Sequence, residues 1–158
     1  MLKPAMVHKE ELLKKFAEEL YTDRYFYYMG YAYGFELPNI ETHDCYYQWA
    51  ILEDSSNKVI GYLAYRVDPS TDNVDRFGLY SFEEGNQTVI RDTYNKLEEL
   101  ISEHHRVEWR VIGGNHAKRG YDAFCAKHNG NCVCLHDMTK DMNGQYRDEY
   151  IYEIIKES

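Results

Sequence analysis

The stretch Trp109-Arg-Val-Ile-Gly-Gly-Asn-His-Ala117 joins a predicted strand to a predicted helix. Apolar side chains alternate with charged ones up to its first glycine, which predicts a strand over Arg106–Ile112 with one buried face. The two glycines end that strand, and Asn115 is placed to cap a helix over His116–His128. A strand followed closely by an amphipathic helix is typical of a sheet covered by helices.

Similar patterns extend outward in both directions from this stretch. Upstream, the periodicity predicts two helices, three strands and a long helix, and downstream it predicts two closing strands joined through an Asn143-Gly144 turn. This order predicts an α/β fold with a mixed central β-sheet flanked by helices on both faces. No linker-like segment interrupts residues 1–158, so we expect a single domain. The predicted elements are helices over His8–Leu20, Thr22–Tyr33 and Thr88–His104, and strands over Gln48–Leu52, Lys58–Val67, Val74–Phe82, Asn131–His136 and Tyr146–Ile155.

Composition and charge exclude several classes of protein. The net charge of −9 argues against nucleic acid or an anionic membrane as the main partner. The first residues are charged and lack the apolar core of a signal peptide, and the longest apolar run, Tyr25–Phe35, is too short to span a bilayer. Four cysteines without an export signal favour reduced thiols, so we expect a soluble, cytoplasmic protein.

Three stretches together resemble the GNAT superfamily of N-acetyltransferases, over roughly Gln48 to Glu157. They are Lys58-Val-Ile-Gly-Tyr-Leu-Ala-Tyr65, the stretch Trp109–Ala117 with the helical tyrosine Tyr121 after it, and Asn143-Gly-Gln-Tyr-Arg-Asp-Glu-Tyr-Ile-Tyr-Glu-Ile154. The resemblance implies a GNAT-type fold and an enzyme that uses acetyl-CoA (coenzyme A) as its acyl-donor substrate. The acetyl group would be transferred to a primary amine of an unidentified acceptor, either a small molecule or a protein.

The resemblance also implies which residues bind acetyl-CoA. In the family, the strand before the central helix holds the pantetheine arm through its backbone, and the turn into that helix binds the pyrophosphate. Backbone N–H groups at a helix N-terminus suit such an anion. The family's turn begins with a basic or amide residue, whereas this chain has Phe82 there, and only Gly85 fits the loop pattern. The implied positions are Leu79, Tyr80, Ser81 and Phe82 for pantetheine, and Gly85, Asn86, Gln87, Thr88 and Val89 for pyrophosphate.

The remaining candidate residues are chosen for the chemistry of their side chains. By its position in the last helix, Tyr121 is either the phenol that protonates the departing thiolate or a packed aromatic residue. Asn115 is either a helix cap or a cap that also contacts acetyl-CoA. The aromatic segment Tyr21–Phe35 serves either as core packing or as a wall of the acceptor site. By residue type, the general base could be Asp75, Glu83, Glu84 or Glu108, and the sequence ranks none above the others.

Two other functions stay open at this point. One is a non-catalytic acyl-CoA-binding or interaction module on the same fold, suggested by the incomplete loop. The other is a small zinc-binding protein, since cysteines and histidines cluster late in the chain. Their spacing differs from the usual zinc patterns, so we expect no metal and four unligated cysteines. A homodimer is the default assumption for the assembly. The late cluster comprises Cys125, His128, Cys132, Cys134 and His136.

Overall fold

The computed structural model describes residues 1–29 and 36–157. Seven strands form one mixed sheet in the order β1-β2-β3-β4-β5-β7-β6. All neighbouring strands are antiparallel except β4 and β5, which run parallel. The strands are β1 (Leu2–Pro4), β2 (Tyr46–Leu52), β3 (Val59–Asp68), β4 (Asn73–Ser81), β5 (Arg106–Ile112), β6 (Asn131–Lys140) and β7 (Tyr146–Ile155).

Helices cover both faces of this sheet, as the sequence predicts. Between β1 and β2 the chain forms a short 3-10 turn (Ala5–His8), α1 (Lys9–Glu19) and α2 (Asp23–Met29), which pack on one face. On the other face lie α3 (Gln87–Glu103), between β4 and β5, and α4 (Lys118–Lys127), between β5 and β6. None of these described helices has the length and apolar character needed to cross a membrane.

Each face of the sheet has its own core, and strand alternation divides β4 between them. Tyr80 is fully buried on the α1 and α2 side, where its ring lies 5.1 Å from that of Phe16. On the α3 and α4 side, Trp109 stacks on Tyr152 at 5.3 Å and lies edge-on to Tyr121. Each core therefore contains a group of packed aromatic rings among its aliphatic side chains, and burial of these rings stabilises the two-sided packing.

The structure corrects several predicted boundaries. The helix predicted over His116–His128 begins at Lys118, because the turn before it is closed by Asn115. The strand predicted over Asn131–His136 continues to Lys140, through an irregularity at Asp137 with φ of 51°. Strand β1 was not predicted, since three residues are too few to show a period. The last part of the helix predicted over Thr22–Tyr33 lies outside the described residues.

Candidate active site

The parallel strands β4 and β5 pair over only part of their length. Their last paired residues are Phe77 and Trp109, yet β4 continues to Ser81 and β5 to Ile112. The pairing is already irregular before that point, where Arg76 takes a left-handed φ of 51°. The two strands thus leave an open wedge between their carboxyl ends. In open α/β sheets, such an opening at the strand ends is a common ligand site.

A cavity of about 840 Å³ lies on the α3 and α4 side of this wedge. Its size falls within the range of small-molecule binding sites. Residues of α2, β4, the turn into α3, α3 itself and α4 contribute to its walls. Among the predicted acetyl-CoA and catalytic residues, those that line it are Leu79, Ser81, Gly85, Asn86, Val89, Asn115 and Tyr121.

Strand β4 presents alternate residues to this cavity. The amide of Phe82 donates to Ile60 of β3. Because alternate residues of a strand direct their backbone groups to opposite sides, Leu79 and Ser81 direct theirs towards the wedge. The side chains of Leu79 and Ser81 also line the cavity, whereas Tyr80 and Phe82 pack on the α1 face. Two of the four predicted pantetheine positions therefore face the cavity.

The turn into α3 is held by Asn86. Its Oδ1 accepts hydrogen bonds from the amides of Thr88 at 2.9 Å and Val89 at 3.2 Å, which caps the helix. These are two of the amides predicted to bind pyrophosphate. The amide of Asn86 itself donates to the carbonyl of Glu83 at 3.3 Å, so Gly85 and Gln87 hold the two remaining amides of the predicted pyrophosphate positions. Gly85 has a φ of 69°, a conformation in which a side chain would be strained.

The charges around this turn are distributed unevenly. Glu83 is paired with Lys58 at 2.5 Å, and the hydrogen bond from that ammonium holds the pKa of Glu83 below its usual range. Glu84 lines the cavity and lies 3.6 Å from His116. The two arginines that line the cavity come from other elements. They are Arg24 of α2, whose guanidinium donates to the carbonyl of Phe82 at 2.9 Å, and the exposed Arg119 of α4.

Tyr121 lies at the boundary between this cavity and a second one. Its side chain is 5% exposed, and burial raises its pKa well above that of a free phenol, with smaller effects from Tyr94 and Tyr28. The group therefore stays protonated across the physiological range. No hydrogen bond to its hydroxyl is found within residues 1–29 and 36–157, so a ligand could accept one there.

The second cavity, of about 200 Å³, opens on the α2 side of the wedge. It shares Leu79, Asn115 and Tyr121 with the large cavity. Its walls also include Arg110 and Glu149, which lie 3.8 Å apart. Glu149 is the one carboxylate among its described lining residues, and its side chain is 20% exposed.

None of the carboxylates proposed from the sequence as a general base lines this second cavity. Asp75 pairs with Arg66, and Glu108 bonds to Arg106 at 2.8 Å. The sequence analysis did not identify Glu149, because a glutamate in a strand of alternating polar and apolar residues is expected to lie at the surface. Its placement depends on the β5–β7 register, in which it lies opposite Ile112. No periodicity in the sequence reveals that pairing.

Asn115 closes the turn between β5 and α4 and ties it to α2. Its Oδ1 accepts from the amide of Ala117 at 2.9 Å, and its Nδ2 donates to the carbonyl of Tyr27 at 3.2 Å. It does not occupy the N-cap position of α4, which is Ala117. Asn115 thus links the β5–α4 turn to α2 while lining both cavities.

The aromatic segment Tyr21–Phe35 divides its roles within the described part. Tyr25 and Phe26 are buried in the core, whereas Tyr27 and Tyr28 line both cavities. Tyr28 also packs on Tyr80 with the ring centroids 4.9 Å apart, and burial raises its pKa. Tyr31, Tyr33 and Phe35 lie outside the described residues.

The late cysteine and histidine cluster does not converge as a whole. Cys125 is buried, and His128 lies 3.0 Å from Glu98 of α3. Cys134 and His136 do approach each other, and they are joined by Asp148, which the sequence analysis did not include in this cluster. The four cysteines of the chain are all free.

Comparison with known proteins supports the fold. No protein-family model matches the sequence, and no curated protein sequence matches it significantly. Solved structures do match. A probable GNAT-family acetyltransferase from Chromobacterium violaceum has a TM-score of 0.66 at 16% identity, covering 98% of this chain and 86% of its own. A GCN5-related N-acetyltransferase from Brucella melitensis has a TM-score of 0.62 at 17% identity, covering 98% and 74%.

A third solved structure is that of the ribosomal-protein-S18-alanine N-acetyltransferase from Escherichia coli. It has a TM-score of 0.57 at 15% identity, covering 74% of this chain and 74% of its own. At these identities the likeness concerns the fold, and the chain has the fold of the GNAT acetyltransferases.

Proposed function

We propose that the chain is an N-acyltransferase that binds acetyl-CoA in the large cavity and its amine acceptor in the small one. The observation that carries the proposal is the meeting of the two cavities at the β4–β5 wedge, with Leu79, Asn115 and Tyr121 in both walls. A transfer between two bound molecules requires such contact, because holding the reacting groups together supplies much of the rate.

The large cavity fits an elongated, partly apolar thioester that ends in phosphates. Leu79 and Ser81 present backbone groups for the amides of the pantetheine arm. The hydroxyl of Thr93 is a further partner, since it lines the cavity, is 1% exposed and has no hydrogen-bond partner among the described residues. The phosphates would lie at the N-terminus of α3, whose partial positive charge favours anions.

In the transfer, the amine nitrogen attacks the thioester carbonyl, a C–N bond forms and the C–S bond breaks. The amine loses one proton and the departing thiolate gains one. We assign the second proton to Tyr121, a buried phenol that remains protonated. We assign the first to Glu149, which lines the acceptor side, acting directly or through water.

The acceptor side carries charges of both signs. Glu149 and Arg110 share its wall, and aromatic rings of Tyr27 and Tyr28 complete it. The carboxylate and the rings suit an amine that binds as a cation and gives up one proton to solvent before its nitrogen attacks. The small volume of about 200 Å³ admits one amino-bearing group, either of a small molecule or of a protein.

A second candidate is a module that binds acyl-CoA without catalysis. It is supported by the turn into α3, where Asn86 already occupies the amides of Thr88 and Val89. It is also supported by Glu84, whose carboxylate at the cavity wall repels a phosphate. Both features weaken binding of the donor at this end of the cavity.

Binding and turnover separate these functions. Acetyl-CoA at a hundredfold excess over Kd should stabilise the fold by roughly 2.7 kcal/mol, on the order of 5 °C in Tm. Release of free coenzyme A with one member of an amine panel supports the enzyme, and binding without any release supports the module. If millimolar acetyl-CoA neither shifts the Tm nor gives a heat of binding in calorimetry, both the enzyme and the acyl-CoA-binding module are ruled out.

A further inference from the structure

A cysteine, a histidine and an aspartate meet at the outer hairpin of the sheet. Cys134 and His136 lie two residues apart in β6, so they share a face, and Asp148 lies in the neighbouring strand β7. Cys134 is paired with Tyr150, which brings the following residues of β6 next to Asp148. One ligand atom from each of the three residues lies within 4.8 Å of the others.

The His136–Asp148 contact is longer than a direct hydrogen bond between charged groups, whereas the Cys134–His136 contact is one that a hydrogen bond involving sulfur can span. The His136 Nδ1 lies 3.5 Å from the Asp148 Oδ2 and 3.7 Å from the Cys134 Sγ. A charge-assisted N–H···O bond is about 2.7–2.9 Å long. For a tetrahedral zinc ion with ordinary bond lengths, the nitrogen–oxygen separation is about 3.4 Å and the nitrogen–sulfur separation about 3.6 Å. The two separations measured from the His136 Nδ1 match those of ligands around a common ion.

The same ring nitrogen faces both partners. In a nucleophilic triad, the carboxylate and the thiol contact opposite nitrogens of the imidazole, so that a proton can pass through the ring. Here both the Asp148 and the Cys134 contacts are to Nδ1 of His136. This arrangement does not suit a proton relay. It places three donor atoms around one point.

The local backbone holds the aspartate in place. At Asp137 the strand takes a left-handed φ of 51°, and the amide of that residue donates to Asp148 Oδ1 at 3.0 Å. The bond occupies one carboxylate oxygen and leaves Oδ2 on the side of His136. Such support of a ligand by a neighbouring group is typical of metal sites.

We propose that Cys134, His136 and Asp148 form a binding site for a zinc-type divalent cation. The thiolate, imidazole and carboxylate set favours zinc or cobalt, whereas calcium and magnesium prefer oxygen ligands alone. The fourth position faces solvent, because His136 is 81% exposed, so water would fill it. The ion would link β6 to β7 at the irregular step of the hairpin. This proposal departs from the sequence expectation of no metal, and it does not rest on the proposed function.

Cobalt titration of the metal-free protein tests the site, because a cysteine thiolate bound to Co²⁺ gives a charge-transfer absorption band. We expect one Co²⁺ per chain, the band, and displacement of Co²⁺ by Zn²⁺ but not by Ca²⁺. Cys134→Ser should abolish the band, and Asp148→Asn should lower the affinity at least tenfold. The matched control is Cys132→Ser, an exposed cysteine two residues earlier on the same face, which should keep band and affinity.

Two results would overturn the proposal. One is Co²⁺ binding with equal affinity and absorption in wild type and Cys134→Ser. The other is the absence of stoichiometric Co²⁺ or Zn²⁺ binding in wild type. A thermal melt of each variant shows whether it is folded, and the partly exposed positions of all three residues favour that. If Cys134→Ser is unfolded, the test becomes the Co²⁺ affinity of Asp148→Asn compared with that of Cys132→Ser. Equal affinities of these two variants would overturn the proposal.

Discussion

Replacement of Asn86 by alanine tests whether the turn into α3 binds the phosphates of acetyl-CoA. The Asn86 side chain accepts two amide hydrogen bonds in the unliganded protein, from Thr88 and Val89. A pyrophosphate bound to those amides would have to displace this cap. The cap therefore stabilises the free protein and opposes binding, so its loss should move stability and affinity in opposite directions.

The size of both effects follows from the cost of losing an N-cap. An Asn→Ala change at this position typically costs about 1 kcal/mol of stability. In a chain of this length that lowers the Tm of the unliganded protein by about 2–4 °C. If binding no longer has to displace the cap, the same energy tightens the Kd for acetyl-CoA by up to about fivefold.

Calorimetric titration with acetyl-CoA, together with thermal melts of the unliganded proteins, measures both quantities. The control is Gln87→Ala in the same turn, because that exposed side chain makes one long contact, at 3.4 Å to the carbonyl of Gly85. It should change neither the Tm nor the Kd. A tenfold loss of affinity in Asn86→Ala would refute this reasoning and mean that the Asn86 side chain itself contacts the ligand.

Further predictions concern the two proton transfers and the phosphates. Tyr121→Phe should lower kcat roughly a hundredfold while leaving the acetyl-CoA affinity unchanged, since general acid catalysis contributes about 10² to 10⁴; an effect below threefold would leave Tyr121 a packing residue. Glu149→Gln should lower kcat by a similar factor and leave the acetyl-CoA Kd unchanged, and an unchanged kcat would argue against Glu149 as the base. Arg119→Gln should weaken acetyl-CoA binding about tenfold, as measured by calorimetry. The control is Lys127→Gln at the far end of α4, where the lysine pairs with Glu98 on the surface, and it should leave the Kd unchanged. Equal Kd values for the two variants would rule out Arg119 as a phosphate partner.

The layered fold was predictable because its signals are local. The alternation in Arg106–Ile112 and the helical periodicity of Thr88–His104 each show within a few residues, and the structure confirms helices on both faces of a mixed sheet. The extension of β6 was not predictable, since the left-handed step at Asp137 breaks the alternation on which a strand prediction depends.

The candidate site was predictable where it depends on position along one element. Leu79 and Tyr121 line the large cavity because a strand end and a helix start reach it from their own segments. The roles proposed for Glu149 and Asp148 were not predicted, since they depend on which residues of β5 and β6 lie beside them. Pairing between distant strands leaves no trace in composition or spacing.

The charge distribution explains how this fold could hold a phosphate-bearing ligand with an incomplete loop. At the first loop position the chain has Phe82, which packs on Phe16 and so contributes to the core instead of the site. A guanidinium is still close by, since Arg24 of α2 donates to the carbonyl of that same residue. A second, Arg119, approaches from α4. No ion pair to Arg119 is found among the described residues, so its charge is available to a ligand. The positive charges near the cavity are therefore on α2 and α4 and not on the turn. Arg119 is the stronger candidate for binding a phosphate, because Arg24 already donates to the carbonyl of Phe82.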